Sequence, residues 1–119
     1  MRIGELARRC NVSTRALRYY EEQQLLTSSR HANGYRDYPE SAVETVRRIR
    51  VLLDAGFNAE TIRKVLPCLN GDEIDMCPQV AAAIRETLRG IDKQLRDLDA
   101  KRARITALLA GQALSAAGA

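Results

Sequence analysis

Arginine and tyrosine dominate the chemistry open to the first third of this 119-residue chain. Residues 1–36 hold seven arginines (Arg2, Arg8, Arg9, Arg15, Arg18, Arg30, Arg36) against Glu5, Glu21 and Glu22, a balance of +4. Residues 37–119 carry twelve basic and twelve acidic side chains, so the whole formal excess of +4 is local. Tyr19, Tyr20 and Tyr35 lie in the same basic segment, with Tyr38 just beyond it. Guanidinium groups interleaved with aromatic rings suit a polyanion, most simply the phosphates of duplex DNA. Charge alone is equally compatible with a merely solvated basic surface. The elements that present these side chains must decide between the two.

The remaining reactive groups are few. Cys10, Cys68 and Cys77 are an odd number with no CxxC pair, and no export signal precedes them, so reduced thiols and a cytoplasmic, nucleoid-associated location are expected. Three cysteines cannot hold a four-cysteine iron–sulfur cluster. Cys10 falls on the inner face of the first helix and reads as core. Cys77 precedes Pro78 and is expected at a helix N-terminus, where unpaired backbone N–H groups favour a thiolate. With Cys68 it flanks the acidic stretch Asp72-Glu73-Ile74-Asp75. The pair is the candidate sensor of a thiol-reactive compound or a soft metal. The competing reading makes both small apolar residues packed against a helix. The single histidine, His31, sits in a loop, and no nucleophile–base pair or glycine-rich phosphate loop is present, so an enzyme is not expected. No apolar run approaches the roughly 18 residues of a membrane span, so no membrane partner is expected.

Helical spacing of Ile3, Leu6, Ala7 and Cys10 predicts a short amphipathic helix over residues 3–10. Asn11-Val12 makes a tight turn, Ser13 caps a second helix running to about Gln23, and Ala16, Leu17 and Tyr20 line its inner face. Two short helices so joined form a helix-turn-helix, with Arg15, Arg18 and Tyr19 on the outward face where a recognition helix carries its contacts. Asn33-Gly34 signals a hairpin turn, placing Tyr35 and Arg36 on the return strand of a basic wing. Val43, Val46, Ile49, Leu52 and Leu53 mark a third helix to about Ala55. Gly56 closes it, Phe57 turns inward, and Asn58 caps a fourth helix carrying Ile62, Val65 and Leu66 that Pro67 ends.

From residue 78 the pattern changes. Cys77, Ala81, Ile84, Leu88, Ile91, Leu95, Leu98, Arg102, Ile105 and Leu109 step in alternating fours and threes, a heptad seam on a helix roughly 50 Å long. The N-terminal module is too small to cover it. A second copy is therefore expected there, with Ile84, Leu88, Ile91, Leu95, Leu98, Ile105 and Leu109 as dimerisation residues; the alternative is a helix folded back into a monomeric bundle. The organisation expected is a winged helix-turn-helix domain over 1–68, a polar linker over 69–77, a coiled-coil helix over 78–110 and a flexible tail over 111–119. The fold class is mostly α.

The segments Ile3-Gly4-Glu5-Leu6-Ala7, Val12-Ser13, Leu17-Arg18-Tyr19-Tyr20-Glu21, Leu25-Leu26, Asn33-Gly34-Tyr35-Arg36-Asp37-Tyr38 and Ala55-Gly56-Phe57 follow one another with the order and spacing of a known module. They resemble the DNA-binding module of the MerR family of bacterial transcription regulators, and the heptad helix is similar to that family's antiparallel dimerisation coiled coil. The resemblance implies a homodimer on an inverted-repeat operator in duplex promoter DNA. There it bends and untwists an overlong spacer between the −35 and −10 elements for RNA polymerase holoenzyme. It assigns Ser13, Thr14, Arg15, Arg18 and Tyr19 to the recognition helix. Tyr35, Arg36 and Tyr38 go to the wing, and Phe57 with the start of the fourth helix to a second wing. In related metal sensors a residue near Cys77 joins the site from the partner subunit. No cofactor is required for DNA binding itself, and the inducer is unknown. The C-terminal cysteine loop of the metal-sensing branch has no counterpart in 111–119. Asn11 and Gln24 stand where the family commonly has glycine; a non-glycine residue with positive φ at 24 costs about 1 kcal/mol. The alternative function is a DNA-architectural or recombination-accessory protein, which the heptad helix disfavours.

Overall fold

The computed structural model describes residues 1–71 and 73–112; the predicted tail beyond residue 112 lies outside the described residues. The chain divides into two compact units, Met1–Ala83 and one that begins at Ile84.

In the first unit, α1 spans Ile3–Cys10 and α2 spans Thr14–Glu22. The turn between them uses Asn11 at φ 55°, the left-handed conformation that asparagine tolerates better than most residues. The Ser13 hydroxyl accepts the Ala16 N–H at 3.0 Å, satisfying one of the orphan donors at the start of α2. Leu6, Ala7, Cys10, Leu17 and Tyr20 are buried between these helices and α3 (Ala42–Asp54). Ala42, Val46 and Ile49 carry the α3 face. Asn58 caps α4 (Ala59–Val65) through the Thr61 N–H at 2.8 Å, and Ile62 closes the core from that side. Phe57 packs partly buried against the same cluster, as expected.

The wing is a ladder of β1 (Ser29–Arg30) and β2 (Arg36–Asp37), with Ser29 opposite Asp37 and Arg30 opposite Arg36. Its loop differs in detail from the sequence expectation. Gly34 N–H donates to the His31 carbonyl at 2.8 Å, His31 N–H donates to the Tyr35 carbonyl at 3.0 Å, and of the Asn33-Gly34 pair only Gly34 has positive φ. This is a three-residue loop ending on a left-handed glycine, a common alternative to the two-residue turn.

The stretch read as a polar linker is instead structured at its start. After a 3₁₀ turn over Leu66–Cys68, β3 (Leu69–Asn70) pairs antiparallel with β4 (Glu73–Ile74), Leu69 opposite Ile74. Two-residue strands carry no alternation long enough to be recognised in sequence.

The helix α5 runs Pro78–Leu109, close to the 78–110 expected. In the second unit its seam is apolar and bare in the single chain. Leu88, Leu95, Leu98 and Ile105 are 55–62% exposed and Leu109 87%, while Ile84 and Ile91 are half-buried.

Candidate nucleic-acid interface

The amphipathic turn of α2 sorts its side chains. Leu17 and Tyr20 are buried, whereas Arg15, Arg18 and Tyr19 are exposed on the opposite face. Thr14 is half-buried, and the Ser13 hydroxyl is committed to its capping bond. No hydrogen bond or ion pair holds the Arg18 guanidinium among the described residues.

Beside that face the wing builds a concave groove of about 370 Å³ lined by Arg2, Arg18, Arg30, Gly34, Tyr35 and Arg36. The Tyr35 ring stacks on the His31 ring, centroids 4.6 Å apart and 18° from parallel, and the Arg2 guanidinium lies 4.1 Å from the Tyr35 centroid. Arg30 Nη1 donates to the Gly34 carbonyl at 3.0 Å, bracing the loop across its mouth. Arg36 Nε lies 3.3 Å from Glu21 Oε2, which ties the wing to the end of α2. Asp37 on the following position accepts from the Met1 amino group at 3.0 Å and lies 3.5 Å from His31 Nε2. The bond to the amino group, the largest influence, holds the Asp37 carboxyl below the usual carboxylate range.

Of the residues expected to meet DNA, the structure brings Arg18, Tyr35 and Arg36 into one groove and leaves Arg15 and Tyr19 exposed on the same helix. Tyr38 does not belong with them. It is 1% exposed, and its hydroxyl donates to Glu21 Oε1. Burial, reinforced by that bond, pushes its phenol up to about 12. A neutral ring so enclosed supports the wing from beneath and presents nothing to a ligand. Arg2 and Arg30 line the groove as well. Their only sequence signal was membership in the basic excess of residues 1–36.

The cysteines separate as well. Cys10 is buried and burial raises its thiol above the ordinary value, in keeping with a core position. Cys68 is half-buried, with its Sγ 3.8 Å from the Lys64 carbonyl. Cys77 is exposed, and its Sγ accepts the Val80 N–H at 3.5 Å at the start of α5. The Asp75 N–H donates to the Cys68 carbonyl at 2.8 Å, closing the hairpin between the two cysteines. Among the described residues no cluster of three or more His, Cys, Asp or Glu side chains could hold a metal ion. No helix of these residues is long and apolar enough to cross a membrane.

Comparison with known proteins places this geometry. A family profile described as "MerR HTH family regulatory protein" matches residues 1–68, and one described as "MerR, DNA binding" matches residues 43–108. The HTH-type transcriptional regulator ZntR of Escherichia coli K12 is 33% identical over 98 residues, covering 82% of this chain and 70% of ZntR. The mercuric resistance operon regulatory protein of Bacillus cereus is 34% identical over 107 residues, covering 82% of this chain and 81% of that protein. Among solved structures, the transcription regulator PbrR691 from Ralstonia metallidurans CH34 in complex with lead(II) shares the fold. Its TM-score is 0.75 at 24% identity, covering 98% of this chain and 91% of that one. The EcmrR–DNA complex gives 0.72 at 28% identity, covering 93% of this chain and 39% of that one.

Proposed function

The chain belongs to the MerR family of helix-turn-helix regulators, and from that premise we propose that it acts as a homodimer on an inverted-repeat operator between the −35 and −10 elements. Its class, a DNA-binding transcription regulator and not an enzyme, is that of its relatives. In the proposed mechanism the dimer bends and untwists the spacer so that RNA polymerase holoenzyme engages both elements, in the cytoplasm. The observation that carries the reading is the arginine groove beside the exposed face of α2. Arg15, Arg18 and Tyr19 reach base edges and phosphates while the wing residues Tyr35 and Arg36 hold the backbone, so that the protein can deform the duplex it grips. EcmrR, solved with DNA, supports this use of the fold.

The exposed apolar row of α5 supports the dimer, because none of the described residues of a single chain covers Leu88, Leu95, Leu98, Ile105 and Leu109. The effector in this reading is a thiol-reactive compound or a soft metal received at Cys77, with Cys68 as its neighbour across the hairpin. The name of the Bacillus cereus mercuric resistance relative supports the soft-metal branch. Among the described residues no cluster of three ligands is present, so the metal this reading calls for is a soft one that two thiolates can hold.

Footprinting on the region upstream of the chain's own gene tests the reading. Protection centred between the −35 and −10 elements is expected. Protection confined to a recombination attachment site would replace the regulator with the architectural alternative.

A further inference from the structure

Arg2 belongs neither to the recognition helix nor to the wing, and nothing in the family match assigns it a role. We propose that it is a DNA-contacting residue. With Arg18, Arg30 and Arg36 it seats one backbone phosphodiester in the groove between α1, α2 and the wing. The inference rests on the DNA-binding reading above and goes further by naming the groove's ligand and a residue outside the helix-turn-helix that holds it.

The geometry argues for it in three steps. Arg2 is exposed, and its guanidinium lies against the Tyr35 ring, 4.1 Å from the centroid. Stacking uses the flat face of the guanidinium and leaves its five edge donors unspent, while fixing a side chain that would otherwise lose much rotamer freedom on binding. The other cations of the groove are similarly underused. Arg18 has no hydrogen-bond or ion-pair partner among the described residues, and Arg30 gives Nη1 to the Gly34 carbonyl. Only Arg36 faces a carboxylate, Glu21; Asp37 is turned to the Met1 amino group and His31. Four cations converging on one groove with a single acidic partner raise its potential, which an anion relieves. A phosphodiester fits because guanidinium edges bind its oxygens in pairs. The backbone that borders a major groove occupied by α2 runs beside the recognition helix, where this groove opens.

Arg2 also offers a clean variant. It is the N-cap residue of α1, yet its side chain makes no capping bond, and only its carbonyl takes part, accepting from the Leu6 N–H at 3.1 Å. Arg2→Ala therefore keeps the helix start, and an unchanged thermal midpoint verifies it. The full chain would first select its operator from a random duplex pool. Affinity is then measured between about 50 and 200 mM salt for wild type, Arg2→Ala and the charge control Lys93→Ala on α5. We expect Arg2→Ala to lower the slope of log K against log salt by about 0.9 for each bound protomer, with Lys93→Ala matching wild type. A scan of single neutral methylphosphonates along the operator locates the seat. One backbone position in each half-site should weaken wild type on neutralisation and weaken Arg2→Ala measurably less, because only three of the four arginines remain to feel the lost charge. A wild-type slope in Arg2→Ala, or a methylphosphonate profile identical in both proteins, overturns the assignment of Arg2 alone. Failure of wild type to select any duplex instead overturns the DNA-binding reading beneath it.

Discussion

At the scale of single residues, two positions show how a local departure is absorbed. Gln24 has φ 61°, a left-handed backbone where the family commonly has glycine. The strain there is about 1 kcal/mol, and Arg63 Nε, donating to the neighbouring Gln23 carbonyl at 2.9 Å, helps hold the turn in place. Gln24→Gly removes the steric cost and adds unfolded-chain entropy, so a net gain of about 0.5 kcal/mol in urea unfolding is expected, with DNA affinity unchanged. The second position is Tyr38. Its buried hydroxyl donates to Glu21, which also faces Arg36, so one carboxylate joins α2 to β2 and to the residue that follows it. Tyr38→Phe should cost about 1–2 kcal/mol near neutral pH. The phenol is raised from 10.0 to about 12 in the folded chain, so the neutral form is the one folding favours. The stability difference between wild type and Tyr38→Phe is therefore constant below pH 10 and shrinks as pH rises through about 12. Paired denaturation curves across that range measure it; a difference that stays flat would remove Glu21–Tyr38 as a linkage.

At the scale of elements, periodicity made most of the fold legible. Apolar spacing locates α1, α2 and α5 within a residue or two and the C-terminal end of α3 as closely, because each buries or presents one face over at least two turns. Caps sharpened the edges, with Ser13 and Asn58 both bonding as their residue types suggest. What escaped was non-local. Tyr38 reads in sequence like one more wing residue beside Tyr35 and Arg36, and core packing together with Glu21, seventeen positions earlier, holds it inward. Arg2 acquires meaning through Tyr35, far along the chain. The β3–β4 hairpin was too short for its own pattern. The seam of α5 belongs to this scale too. Leu95 is 58% exposed in the single chain at the middle of an apolar row. A lysine there would force a charge into any coiled-coil core, a cost that such seams tolerate poorly away from designed polar positions. Leu95→Lys is expected to sediment as a monomer where wild type sediments as a dimer. A variant that remains dimeric would place the contact on another face of α5.

At the scale of the whole molecule, a regulator must let an effector change what the DNA module does. The segment joining α4 to α5 is where chemistry could enter. Cys68 and Cys77 sit at the two ends of the β3–β4 hairpin, and the Cys77 sulfur accepts the Val80 N–H that α5 would otherwise leave unpaired. An oxidant or alkylating group bonded to that sulfur would weaken the capping bond, and a lost cap costs about 1 kcal/mol. Serine is itself a strong N-cap, so Cys77→Ser keeps the bond to Val80 and removes only the thiol. The double variant Cys68→Ser, Cys77→Ser thus separates sensing from packing. In transcription from the chain's own promoter, wild type should respond to soft metals or thiol oxidants, and the double serine variant should bind the operator equally well and respond to none of them. If the two proteins respond alike, the cysteines are packing residues and the effector is a ligand that recognises some other part of the protein.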